Sequence, residues 1–210
     1  RETRPPLSGS GGGLGIVRDY AAIIRHPYYR WSALTAAFAV ATFYSQSTVL
    51  SFIVMRQMGY DATEFGALML VVSGGYVLGA MGVRALAPRW GAFRLVGFGL
   101  VCLMVSTAGL ALCLTVLPLT LPGVALPVMG MLFSNAFVLP GMHTASLAPF
   151  PDKAGASSAL TGFSTMGMGL LASVAISPFS DPSAGLAAVN LAMAVCALLS
   201  YRLWRRQRLV

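Results

Sequence analysis

The polar side chains within the longest apolar stretches of this sequence are few and uncharged. Tyr44, Gln46, Ser47, Thr48 and Ser51 fall together in one stretch, and Ser134, Asn135, His143 and Thr144 in another. Hydroxyls and carboxamides both donate and accept hydrogen bonds. In hydrocarbon such groups line a cavity or bond between helices, and both readings stand for Gln46 and Asn135. His143, near the end of its stretch, reads as a structural histidine rather than a titrating one. No Asp, Glu, Lys or Arg lies in the middle of these stretches, so no intramembrane carboxylate marks a proton path. No nucleophile is set beside a base and an acid, and an enzyme is not expected. Cys102, Cys113 and Cys196 lie in apolar runs without CxxC spacing, so neither a metal site nor a disulfide framework is indicated, and no cofactor is expected.

The elements carrying these residues follow from charge placement. The chain is 57% hydrophobic and 10% charged, with a mean hydropathy of +0.76; soluble domains carry about 25% charged residues. A bilayer core needs about 20 apolar residues per helix, and the charges divide the chain into such lengths. The expected spans are about 32–55, 65–83, 93–117, 122–147, 155–177 and 183–204, an all-α membrane protein of six transmembrane helices. The third and fourth are separated by the turn Pro118–Pro122. Asp61-Ala-Thr-Glu64 has capping-box spacing before the second span. Asp181-Pro182 places a cap and then Pro at the first helical position of the sixth.

Residues 1–31 form an expected linker. Its polar, Gly-rich opening, Arg1 to Gly13, reads as a loop from a longer chain, and Leu14 to Tyr29 is an amphipathic helix lying in the membrane interface. Residues 205–210 form a basic tail. The net charge of +8 does not point to nucleic acid, because the basic residues sit between apolar runs. All 14 Lys and Arg except Arg56 fall on one side of the six-span topology, which places both termini and the loops near Arg84–Arg94 and Pro149–Ala154 in the cytoplasm.

Small residues form two stripes. Gly75 and Gly79 make a GxxxG pattern followed by Gly82. The fifth span offers Ala154, Ser158, Gly162, Thr165, Gly169 and Ser173. Such stripes let helix backbones approach closely. The third and sixth spans, for example Leu186 to Leu199, read as an almost wholly apolar, lipid-facing periphery.

Three stretches resemble helices seven to twelve of the major facilitator superfamily, and more narrowly its Bcr/CflA type of drug:proton antiporter. Arg1-Glu2-Thr3-Arg4-Pro5 resembles the segment that follows the sixth helix in that group. Ser134-Asn135-Ala136 is similar to its tenth-helix motif. Ala148-Pro-Phe-Pro-Asp-Lys-Ala-Gly-Ala-Ser-Ser-Ala-Leu-Thr-Gly-Phe163 resembles the segment entering its eleventh helix. The loop Arg84-Ala-Leu-Ala-Pro-Arg-Trp-Gly91, continued to Arg94, is similar to the superfamily's cytoplasmic loop motif, with Arg84 where that motif has Gly and Pro88 where it has Asp.

The resemblance implies the C-terminal six-helix domain of a transporter that exports amphipathic drugs against inward proton flow. It implies a bacterial inner-membrane location and an N-terminal six-helix half, on the same or a separate chain, that supplies the proton-carrying carboxylate. By this resemblance the first and fourth spans line a substrate cavity, with Phe43, Tyr44, Gln46, Thr48, Met129, Phe133 and Asn135 as candidates. The second and fifth face the other half, with Gly75, Gly79, Gly82, Ser158, Gly162, Thr165 and Gly169 at the inter-domain interface. A membrane scaffold or assembly subunit that never transports is the alternative.

Overall fold

A computed structural model describes residues 13–207, with side chains from residue 18 onward except Thr48. The Arg1–Pro5 motif, the side chains of Leu14, Ile16 and Val17, the cavity candidate Thr48, and Arg208 to Val210 lie outside the described residues.

Every described element is helical: α1 (Gly13–Arg25), α2 (Pro27–Phe52, continued by a π turn Ile53–Gln57), α3 (Ala62–Trp90), α4 (Ala92–Thr115), α5 (Leu121–Leu147), a 3₁₀ turn Pro151–Lys153, α6 (Ala154–Ile176) and α7 (Pro182–Gln207). Helices α2 to α7 are each long and apolar enough to cross a membrane. The shortest, α6, has 23 residues and at 1.5 Å per residue measures about 35 Å, against about 30 Å of hydrocarbon.

The expected starts are set by the expected chemistry. Asp61 accepts from the Glu64 amide at 2.7 Å while the Glu64 carboxylate accepts from the Asp61 amide at 2.9 Å, a complete capping box. Asp181 accepts from the amides of Ser183 and Ala184 at 3.0 and 3.3 Å. Thr120 caps α5 through the Gly123 amide, so the turn between the third and fourth spans closes at Thr120 rather than Pro122.

Three boundaries differ from expectation. The amphipathic segment ends at Arg25, and Tyr28 to Trp31 already belong to α2. Pro27 is the cause: its ring pushes His26 into an extended conformation (φ −71°, ψ 118°) and starts a new helix. The stretch Arg84–Gly91 is not a loop. Helix α3 runs through Arg84, Pro88 and Arg89 to Trp90, and the turn is confined to Gly91 (φ 76°), after which Arg94 stands in the first turn of α4. Pro88 lies near the helix end, where its missing amide leaves the Arg84 carbonyl without its helical partner. Arg205 and Arg206 likewise continue α7 rather than forming a tail.

The bundle is built around α2 and α5, which pack on each other. Helix α3 lies against α5, and α6 against α2. Behind them α4 packs on α5 and α7, and α7 on α2. The spatial order α3–α5–α2–α6 therefore runs side by side across one face, and α4 and α7 close the other. Leu100, Leu103, Val124, Val128, Met131 and Met142 are among the core residues joining α4 to α5.

The end carrying most of the arginines is fastened in two places. Trp204 of α7, fully buried, packs on Tyr28, Phe93 and Tyr201 with ring centroids 5.2–5.7 Å away, and the Tyr201 hydroxyl donates to the Phe93 carbonyl at 2.7 Å. On the other flank, Ile23 of α1 is buried with Tyr29 and Ala33 against Phe150, Ala156 and Leu160, while Lys153 pairs with Asp19 at 2.7 Å.

Candidate functional site

The face α3–α5–α2–α6 carries a ridge from α2, where Phe43, Tyr44 and Ser47 are exposed. The Phe43 and Tyr44 rings meet edge to face, 5.6 Å apart, and divide the face into two grooves.

On the α3 side lies a cavity of about 480 Å³ lined by Val40, Phe43, Ser73, Tyr76, Val77, Leu132, Asn135 and Leu139. Ser73 donates its hydroxyl proton to the Met69 carbonyl, so toward the cavity its oxygen offers lone pairs only. Asn135 is 4% exposed, and its Oδ1 has no hydrogen-bond partner among the described residues. A buried acceptor left unpaired costs about 1–3 kcal/mol. Among the described residues no charged one lines this cavity. On the α6 side a second groove is lined by Tyr44, Ser47, Met166, Gly169, Leu170 and Ser173.

The structure divides the expected cavity residues. Asn135 lines the cavity beside Phe43. Tyr44 belongs to the other groove, its ring lying over Gly169, where an added Cβ would come 2.4 Å from the ring. Met129 and Phe133 are not cavity residues. With Phe137 they recur every four positions and form the stripe of α5 that meets α3, whereas Leu132, Asn135 and Leu139 share the neighbouring face. Phe133 stacks on Phe137 at 4.9 Å. Gln46 is 2% exposed and does not line the cavity. It shares a face of α2 with Ala39 and Leu50, which belong to the core with Val128 and Met131, and its Oε1 likewise has no hydrogen-bond partner among the described residues.

The small-residue stripes are corrected in the same way. Gly75, Gly79 and Gly82 do not face outward. A Cβ at Gly75 would lie 2.4 Å from the Met129 carbonyl oxygen, at Gly79 2.5 Å from that of Phe133, and at Gly82 2.9 Å from the Phe137 ring. These glycines seat α3 on α5 within the bundle and are not free to meet another domain. The α6 stripe is split. Gly169 receives Tyr44, and buried Thr165 bonds back to the Gly162 carbonyl. Ser158 is exposed and Gly162 has open space beside it, on the side that also exposes Phe163, Met166 and Leu170. The basic residues Arg84, Arg89 and Arg94, with Gly91, are exposed at the α3–α4 junction.

The sixth span holds a polar group the sequence reading passed over. Asn190 is fully buried, and the Ser45 hydroxyl donates to its Oδ1, pinning α7 to α2. A second polar cluster gives physical sense to the segment entering α6. Ser157 donates to the Ser146 carbonyl at 2.8 Å, Thr161 bonds the Ser146 hydroxyl at 3.2 Å, and the Tyr29 hydroxyl meets Thr161 at 3.3 Å. The first helical turns of α6 are thus tied to the end of α5 and the start of α2.

Comparison with known protein families, with curated proteins and with solved structures finds no match to this chain.

Proposed function

We propose that this chain is one six-helix half of a membrane transporter of the major facilitator type, exporting small amphipathic molecules by alternating access coupled to inward proton flow. The observation that carries the reading is the face α3–α5–α2–α6 with its mid-helix cavity. Helices α3 and α6, which flank that face, are the least buried of the six, at 22% and 28% of their apolar windows. They expose large apolar side chains such as Leu70, Val77, Phe163 and Met166. The cavity on this face, between α3 and α2, joins the rings of Phe43 and Tyr76 to the Asn135 carboxamide, a combination suited to a mostly apolar ligand carrying a few polar groups. A second six-helix unit set against this face would close the cavity into a path across the membrane.

In this arrangement the half supplies cavity wall and rocking surface, and the proton-carrying group belongs to the second unit. With cytoplasmic termini, as the basic residues favour, the Tyr29–Thr161–Ser146–Ser157 cluster lies at the inner end of the path in a bacterial inner membrane.

The test is dye accumulation in bacterial cells expressing the chain in its full coding context. Steady-state accumulation of a lipophilic dye should fall relative to an empty vector, and a protonophore should abolish the difference. Unchanged accumulation, with the protein present in the membrane, favours a non-transporting scaffold.

A further inference from the structure

Away from the cavity face, the outer surfaces of α4 and α7 repeat one pattern. On α4 the exposed side chains Arg94, Phe98, Val101 and Val105 follow at steps of four and three, and on α7 Val195, Leu199, Arg202 and Arg206 do the same. Such steps keep to one face of a helix, so each helix presents an apolar rail that ends in arginine. The two rails end at the same level. Phe93, next to Arg94, packs 5.2 Å from the Trp204 ring and accepts through its carbonyl from the Tyr201 hydroxyl, while Arg202 and Arg206 stand on the side of α7 opposite Trp204. Trp90, 47% exposed, meets the Phe98 ring edge to face at 6.1 Å, an aromatic suited to headgroup level.

Charge is unevenly shared around this end of the bundle. Among the described residues its two acids, Asp19 and Asp152, lie on the flank of α1 and the turn into α6, where Asp19 holds Lys153. Arg94, Arg202 and Arg206 have no ion pair among the described residues. A charge bias across the membrane accounts for arginines at one end. It does not account for their standing in register on two adjoining apolar rails with no acid beside them. Unpaired guanidiniums at the foot of two apolar rails match a molecule that is anionic at one end and hydrocarbon for the rest.

We propose that the α4–α7 face seats an anionic phospholipid, its phosphodiester held by Arg94, Arg202 and Arg206 and its acyl chains lying along the two rails. The planar fork of arginine bonds phosphate oxygens in pairs, and basic sites between membrane helices take anionic headgroups. The inference rests on the membrane location of the chain and not on transport.

Dioleoyl phosphatidylglycerol and dioleoyl phosphatidylcholine, which share their chains and differ in net charge, form the probe pair. Each is titrated into the full chain in detergent micelles, and the bound lipids are counted by native mass spectrometry. An arginine beside an anionic headgroup contributes about fivefold in affinity, so two engaged together should favour phosphatidylglycerol at the first site by about 25-fold. Replacing Arg94, Arg202 and Arg206 together by Gln should abolish that preference. The control removes the same charge from the other flank, with Arg18, Arg25 and Lys153 all changed to Gln, and should leave the preference intact. Should the first triple variant fail to fold, Arg94→Gln and Arg202→Gln singly should each lower the preference about fivefold. Equal affinity for the two lipids in the unaltered protein overturns the inference. So does a preference that survives loss of the three arginines, and so does an equal loss in both triple variants, which would trace the effect to net charge rather than to this face.

Discussion

The seam between α3 and α5 offers the sharpest quantitative test of the packing. A Cβ at Gly79 would lie 2.5 Å from the Phe133 carbonyl oxygen and 2.8 Å from the Ala136 Cβ. Close C···O contacts sit at about 3.3 Å or more, so even Gly79→Ala requires α3 and α5 to part by about 0.8 Å. Both obstructing atoms belong to the α5 backbone or its first side-chain carbon, so no rotamer change relieves the clash. A gap of that size forfeits about a quarter to a half of each dispersion contact along the seam, and overpacking of this kind costs about 1–3 kcal/mol. The perturbed protein should be less stable by that amount, about 5- to 150-fold in its unfolding equilibrium. Gly162→Ala on α6 is the control, because no described atom lies within 4 Å of its Cβ position; its stability should be unchanged or raised by up to about 1 kcal/mol, the helix preference of Ala over Gly. The assay is SDS-induced unfolding in mixed micelles, followed by circular dichroism. Equal stabilities for the two variants would refute the assignment of Gly79 to an internal seam.

Asn190→Leu removes the α7 partner of Ser45, whose hydroxyl keeps the Thr42 carbonyl at 3.2 Å, and should cost about 0.5–1.5 kcal/mol in the same unfolding assay, the net worth of one hydrogen bond; an unchanged midpoint would show that this bond does not hold α7 to α2. Tyr201→Phe deletes the bond to the Phe93 carbonyl and should cost about 0.5–1.5 kcal/mol, with no effect if that bond does not form in the membrane. Lys153→Ala should cost under about 1 kcal/mol, and that difference should vanish in high salt, since the pair with Asp19 is exposed; a loss that persists in salt would indicate packing rather than charge. Gln46→Ala should lower membrane abundance and affect every exported compound alike, because Gln46 faces the core, whereas Asn135→Ala should shift the profile unevenly across compounds. Resistance to several unrelated drugs, normalised to abundance, separates the two, and an uneven Gln46→Ala profile would return that residue to the ligand path.

The helices were legible where one local rule decides. Asp61 and Glu64 announce their cap by spacing alone, and the charges bracket each span because charge is costly in hydrocarbon. Pro27 carried an equally plain signal, but the amphipathic pattern around it masked the break between α1 and α2. What the sequence could not convey was azimuth. A span apolar all round has no moment to orient it, so Met129 and Phe133 read as cavity residues although their four-residue spacing with Phe137 aims them at α3. Glycine stripes mark close approach without naming the partner, and only the packed bundle shows that Gly75, Gly79 and Gly82 are filled by α5. Asn190 is a single polar residue in a greasy stretch, with its partner Ser45 far away in sequence. Asn135 and Phe43 were legible as candidates because a polar group recurs beside aromatics in both central spans, yet their meeting across one cavity required the α2–α5 packing.

The claim that the face α3–α5–α2–α6 lines an alternating path is tested most directly by accessibility at Phe43. With Cys102, Cys113 and Cys196 replaced by Ala, Phe43→Cys is introduced in the full coding context and labelled by a membrane-impermeant maleimide from outside the cell, with and without an imposed proton gradient. The account predicts that the thiol is labelled and that the gradient changes the labelling rate. A thiol that is never labelled would mean that this face lies against lipid or is permanently sealed, and a rate indifferent to the gradient would mean a static groove; either result contradicts a transporter.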